Sequence, residues 1–489
     1  MASLRSVLSL SRRGLFSLPA FAAMPALADT AAVQHPDPPP PDPASFHFPP
    51  GFAFGVSSSA YQIEGAVHAD GRGPSIWDEF CHNPCRTTDG KTADIADDHY
   101  HRMPEDVDLI GDTGLRHYRF SVGWARLFPD GGTKPNPKGF AFYDRLLDKL
   151  LSKGITPWMT LYHWDLPQAL QEKGGWTNRD TAYRLGDFAA ATARALGDRV
   201  PNWLVMNETA VHAYIGHGLG YHAPGLTGVD NWFCALHHLN LGQGLAIQAL
   251  RASGSKGRVG TVAACEPVIP SSPSPQDALA AQTLDAAWNG GVLEPLFEGT
   301  YPGLIAPYTA PHVRTGDAAT MAQPIDMLGI NYYSRLYIEH NQARPLNLFF
   351  GPNKHPSPYY AGGWPIEPDG MYEILKSIQQ RYKPREMFIS ENGYATGTPD
   401  AGGVPLDDVS RISYITQHLR FLRKAMDEGV NMKGYFAWSL LDGFEWNDGM
   451  KWHFGLVAVD PATLKRTPKR SYHWYGAVAR AHEAPAIQV

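Results

Sequence analysis

Residues 203–208 read Trp203, Leu204, Val205, Met206, Asn207, Glu208: four apolar residues that end on an amide and a carboxylate. Residues 387–392 repeat the form as Met387, Phe388, Ile389, Ser390, Glu391, Asn392. A short apolar run of this kind fits a strand of a parallel sheet, buried on both faces. Working outward, similar runs stand at 52–56, 117–122, 156–162, 259–263, 327–330 and 434–438, which brings the candidate strands to eight. Helical patterns fall between them at 140–153, 183–196, 236–252, 371–380 and 410–428. Eight such alternations predict an α/β fold, a single (β/α)8 TIM barrel with long βα loops. The rival is a doubly wound open sheet, but no Gly-rich phosphate fingerprint follows the first run.

Polar and aromatic residues recur just past these runs. They are Gln62 and Glu64, then Arg119 with Trp124, then His163, Trp164 and Asp165. Asn207 and Glu208 come next, then Asn331 and Tyr333, Glu391 and Asn392, and finally Trp438, Glu445 and Trp446. In a barrel these ends meet at one face, where catalytic groups are carried. Any one of them alone could be a structural hydrogen-bonding residue; their convergence is the signal. Glu208 and Glu391 stand out, because each emerges from a buried strand into the same mouth. Two such carboxylates suit glycoside hydrolysis: one as acid/base with a raised pKa, one as an ionised nucleophile. Arg119 and Tyr333 are candidates to steady a carboxylate at Glu391. Aromatic rings can stack on a pyranose, and Gln, His, Asn and Glu can hold its hydroxyls.

Composition excludes several other classes. The formal net charge of −6 leaves no basic surplus for nucleic acid or an anionic membrane. The 13 tryptophans and 22 tyrosines serve either a packed core or sugar stacking. At the N-terminus, Arg12 and Arg13 precede an uncharged run from Gly14 that closes on Ala26, Leu27, Ala28. Residues 1–28 are therefore expected to be a twin-arginine-type signal peptide, directing bacterial export to the periplasm or medium. Residues 29–45 form a Pro-rich linker with four prolines at 38–41, and 46–489 the catalytic domain. Once the signal is cleaved, no stable membrane association is expected. Cys81, Cys85, Cys234 and Cys265 are too few for a disulfide scaffold; a Cys81–Cys85 bridge stays open.

Longer motifs carry a family resemblance over about residues 52–475. FAFGVSSSAYQIEGA (52–66), YRFSVGWARLFP (118–129), LYHWDLPQAL (161–170), GINYYSR (329–335), ISENGYA (389–395), YFAWSLLDGFEW (435–446) and KRSYHWY (469–475) occur in order. With MNE at 206–208, they make the chain similar to glycoside hydrolase family 1, the β-glucosidase family. The resemblance implies Glu208 as acid/base and Glu391 as nucleophile, with Arg119, Asn331 and Tyr333 around the latter. It implies Gln62, His163, Asn207, Tyr333, Trp438, Glu445 and Trp446 as sugar-holding residues. Phe454 would close the pocket and Trp364 form a platform for the leaving group. It further implies metal-independent chemistry without a cofactor, acting on small β-glycosides or oligosaccharides.

The chain departs from the family pattern in places. Ser390 stands where Thr is usual, Gly443 where Asn is usual, and Ala264, Cys265, Glu266 come after the fifth strand where Asn is frequent. The expected activity is that of a retaining, exo-acting β-glucosidase. Alternatives are broader β-galactosidase or β-fucosidase activity, transglycosylation, and non-catalytic sugar binding, which the presence of both carboxylates disfavours. A phosphoglycosidase would need a cationic pocket where Glu445 stands. Aglycone and oligomeric state stay open.

Overall fold

The computed structural model describes residues 45–353, 363–397 and 406–485. The expected signal peptide lies outside the described residues, as does all of the linker but its last residue. Eight parallel strands close into a barrel in sequence order: β1 (Ala53–Ser57), β2 (His117–Ser121), β3 (Thr156–Tyr162), β4 (Asn202–Asn207), β5 (Arg258–Ala264), β6 (Met327–Asn331), β7 (Met387–Asn392) and β8 (Met432–Trp438). These are the eight runs of the sequence, displaced by a residue or two at most ends. Helices cover the outside, among them α1 (His99–Thr113), α2 (Pro137–Ser152), α3 (Asp180–Leu196), α4 (Val229–Ala252), α5 (Pro368–Tyr382), α6 (Val409–Asp427) and α7 (Arg470–Ala481). On α2 the buried residues Phe142, Tyr143, Leu146, Leu147 and Leu150 recur at three- and four-residue spacing, one face turned to the strands.

The barrel interior is filled. Ala53, Trp158, Leu204, Val262, Met327, Phe388 and Phe436, one from each strand but β2, form a buried cluster within it. This plug is the floor on which the polar strand ends stand. Among the described residues no helix is long and apolar enough to cross a membrane. All four cysteines are free, Cys85 exposed and the others buried, so the Cys81–Cys85 bridge is not formed.

Candidate active site

Strand alternation alone would not assemble the mouth of this barrel. On β7, Phe388 points inward and Ser390 after it reaches across to Asn331, with its Oγ donating to Asn331 Oδ1 at 2.7 Å. Strict alternation would then turn Glu391 outward. The register against β6 shifts between Ile389 and Glu391, and the side chain is re-aimed into the mouth. A second shift, on β4 between Leu204 and Asn207, does the same for Asn207. Glu208 then leaves the strand with φ +50°, a left-handed conformation that costs a non-glycine residue about 1–3 kcal/mol.

The two carboxyl groups meet different partners. Glu391 accepts from the Arg119 guanidinium at one oxygen and from Tyr333 Oη at the other, 2.9 Å away. Glu208 accepts from Asn331 Nδ2 at 2.7 Å. Burial, and after it the charge of Glu391, hold the Glu208 carboxyl well above the usual carboxylic range, while the Asn331 bond opposes them. Asn207 links the two sides. Its Oδ1 accepts from Arg119 Nη2 at 2.6 Å and from Asn331 Nδ2 at 3.2 Å.

That orientation of Asn207 fixes His163. The Asn207 amide nitrogen lies 3.0 Å from His163 Nε2, which must therefore accept. Burial, then the Arg119 charge, push the imidazole well below its ordinary pKa, so the ring is neutral with its proton on Nδ1. Among the described residues Nδ1 has no partner, a buried donor left for something else. His163 stacks with Trp438 and with Trp446, at centroid distances of 6.0 and 5.8 Å. Gln62 is clamped by Ser59 Oγ at 2.7 Å and by the Phe444 carbonyl at 2.8 Å. Glu445 takes a hydrogen bond from Trp438, while burial, then the charges of Glu391 and Asp448, raise its pKa well above the usual range. Phe454 lies edge-on to Tyr333 at 6.1 Å and packs with Trp438.

Trp364 is exposed, on a segment tied to the end of β6 by Ser334 Oγ on the Pro365 carbonyl and Tyr332 Oη on the Glu367 carbonyl. Gly443 does not leave its loop slack. Phe444 N bonds the Gln62 carbonyl at 3.0 Å, and Asp442 is held by Lys469 Nζ at 2.7 Å.

Three of the residues past the strands are structural. Glu64 pairs with Arg126 at 2.7 Å and takes the Tyr143 hydroxyl. Trp124 is sealed and stacks on Phe188 at 4.7 Å. Asp165 is buried near Arg72, whose charge opposes the rise in pKa that burial imposes on it. Sequence reading missed the backing of Trp446: Tyr61 stacks on it at 6.1 Å, and Trp77 lies at 4.7 Å. The adjacency of Tyr61 to Gln62 was the one available hint; Trp77 comes from the short helix Ile76–His82, far from Trp446 in sequence. Ser390 also proves to be an orienting group for Asn331.

Glycosyl hydrolase family 1 matches residues 44–484. The chain belongs to that family. This family 1 hydrolase is 40% identical to β-glucosidase A of Thermotoga maritima, over 88% of the chain and 98% of the relative. It is 39% identical to a bifunctional β-D-glucosidase/β-D-fucosidase of Bifidobacterium breve, over 89% and 99% respectively. The solved Thermotoga maritima β-glucosidase in complex with deoxynojirimycin superposes with a TM-score of 0.83 at 39% identity, covering 89% of this chain and 99% of that one.

Proposed function

We propose that the protein is a retaining β-glucosidase, removing terminal β-D-glucosyl residues from the non-reducing end of small glycosides. The observation that carries the reading is the asymmetric pair. One carboxyl, Glu391, is met by a guanidinium and a phenol. The other, Glu208, has one amide donor and a raised pKa. Glu391 attacks the anomeric carbon while Glu208, still protonated, gives its proton to the leaving oxygen. The same Glu208, now a base, takes a proton from water, and that water displaces Glu391 and frees the sugar. Gln62, His163, Asn207 and Glu445 hold the hydroxyls, with His163 Nδ1 donating to one of them. Trp438, Trp446, Tyr333 and Phe454 wall the ring.

Hydrolysis of an aryl β-glucoside followed by proton NMR tests this, with β-glucose expected as the first product. α-Glucose first, or no hydrolysis, overturns it. The Bifidobacterium relative supports a second reading in which β-fucosides are also cleaved.

Export rests on Arg12, Arg13 and the run closing at Ala28. The mature exported chain should begin at Asp29, and Arg12→Lys with Arg13→Lys should block its release from the cytoplasm.

A further inference from the structure

Glu445 and Trp446 open a short turn that closes on itself. The Gly449 carbonyl accepts from the Glu445 amide at 2.6 Å, the Glu445 carbonyl from Asp448 N at 2.9 Å, and the Trp446 carbonyl from Gly449 N at 3.1 Å. Trp446 has φ +55°, a left-handed backbone that persists only where its surroundings hold it. Two loops fasten the turn from outside. One follows the helix Ile76–His82, between β1 and β2. From it, Thr88 N donates to the Asn447 carbonyl at 2.7 Å, and Asp89 Oδ2 accepts from Met450 N at 2.7 Å. The other leads on from Glu208, between β4 and β5. It brings His222 Nε2 to 3.1 Å from Asn447 Oδ1.

An amide oxygen can only accept, so His222 Nε2 carries the ring proton and donates it to Asn447. Burial lowers the His222 pKa to about 4 against the pull of this bond, so near neutrality the ring holds that one proton. Nδ1 is buried and has no partner among the described residues. The ring itself is well placed. Trp77 lies edge-on to it at 5.3 Å and Trp164 at 5.5 Å. The same two indoles pack on Trp446, each at 4.7 Å. Trp446 is thus gripped twice by one aromatic group: directly through its own ring, and through the amide of the next residue.

We propose that Asn447 is a positioning residue for the sugar site: through its hydrogen bond from His222 it holds Trp446 and Glu445 where they meet the glucosyl ring. The inference rests on the β-glucosidase reading. Neither Asn447 nor His222 needs to touch the sugar. Without their bond the turn keeps its internal hydrogen bonds and its ties to Thr88 and Asp89, so the fold survives. What loosens is the placement of the two sugar-holding side chains relative to the β4 side of the mouth. Asn447→Ala removes the acceptor and Asn447→Asp keeps it; His222→Phe keeps a packed ring and removes the donor.

The test measures KM for 4-nitrophenyl β-glucoside and the inhibition constant of glucose in wild type, the three single variants and the Asn447→Ala/His222→Phe double variant. Both constants should rise roughly three- to tenfold in Asn447→Ala and in His222→Phe, the effect of one lost hydrogen bond. The double variant should be no worse than the poorer single one, because both changes remove the same bond. Asn447→Asp should stay below about a threefold rise. A purely structural role would reduce the amount of folded enzyme, which lowers the apparent kcat and leaves both constants where they are. The proposal is overturned by a rise below about threefold in Asn447→Ala, by an equal rise in Asn447→Asp, or by single effects that multiply in the double variant. If His222→Phe does not fold, the comparison of Asn447→Ala with Asn447→Asp decides alone. A wild type inert on every β-glucoside overturns the β-glucosidase reading itself, a result distinct from the others.

Discussion

The ends of β4 and β7 are built alike and furnished differently. Each strand is a buried apolar run, each has a register shift near its last residues, and each delivers a glutamate to the mouth. Around Glu391 stand a cation and a phenol. Around Glu208 there is burial, a neighbouring negative charge and one neutral amide. Identical side chains on equivalent scaffolding are thus given opposite surroundings by two or three neighbours. Asn331 shows how closely the sides are coupled: Ser390, one residue before Glu391, orients the amide that donates to Glu208.

Removing each carboxyl is the most forceful way to break that contrast. Glu391→Ala should lose about ten-thousandfold or more in kcat on every glycoside, since no attacking group remains. Azide or formate should restore turnover with inverted product. Glu208→Ala should lose roughly a hundred- to ten-thousandfold on poor leaving groups but little in the first step with a dinitrophenyl glucoside, which needs no proton. Azide should then speed release with retention. Rescue of the opposite stereochemistry in the two variants would show the roles to be exchanged.

A gentler change sharpens the same comparison. Glu391→Gln keeps the shape of the site and removes the negative charge that helps to raise Glu208. The Glu208 pKa should fall, because its ionised form no longer faces a like charge. Carbon NMR of the labelled carboxyl would track the titration; no downward movement would mean that burial alone sets it. On the other side, Tyr333→Phe takes away one of the two side-chain donors to Glu391 among the described residues. A loss of roughly ten- to a hundredfold in kcat/KM is expected from one such bond to a charged group. An unchanged rate would leave Arg119 as the sole significant partner.

The strands were legible because parallel strands covered on both faces are written as apolar runs, and all eight lie where the apolar runs stand. The direction in which each polar residue beyond a strand end would turn was not legible. Gln62 and Glu64 are two residues apart past β1, yet one is clamped against Ser59 and Phe444 while the other turns away to Arg126 and Tyr143. Asn207 and Glu391 reach the mouth only because the ladder slips at both places, and no residue type announces such a slip. Trp77 contributes from a helix remote in sequence, so nothing near Trp446 could have pointed to it. What resemblance to the family added was the choice among polar strand ends that chemistry alone could not rank.

The smallest expected effect concerns Glu445, a third glutamate that combines features of the other two. Like Glu208 it is raised by burial and by the charge of Glu391, and like Glu391 it has a strong donor, the Trp438 indole. In the empty site burial and the charges of Glu391, Asp448 and Asp442 outweigh that donor and hold the carboxyl above the usual range. A glucosyl ring changes the balance if its O4 and O6 hydroxyls both donate to Glu445, because two further donors favour the carboxylate. Sugar binding should then release a proton, and affinity should rise with pH up to the pKa of the empty site. Calorimetry of a neutral glucose-shaped inhibitor, in two buffers of different ionisation enthalpy, would register that proton. Galactose turns O4 axial and forfeits one donor, which at about 1–3 kcal/mol for an unmet buried polar group means roughly tenfold discrimination or more. Glu445→Gln should abolish the proton release and shrink the glucoside-to-galactoside ratio of kcat/KM by about that factor. If ratio and proton release both stay as in wild type, Glu445 does not touch the sugar, and its raised pKa reflects only the crowding of negative charge behind Trp438.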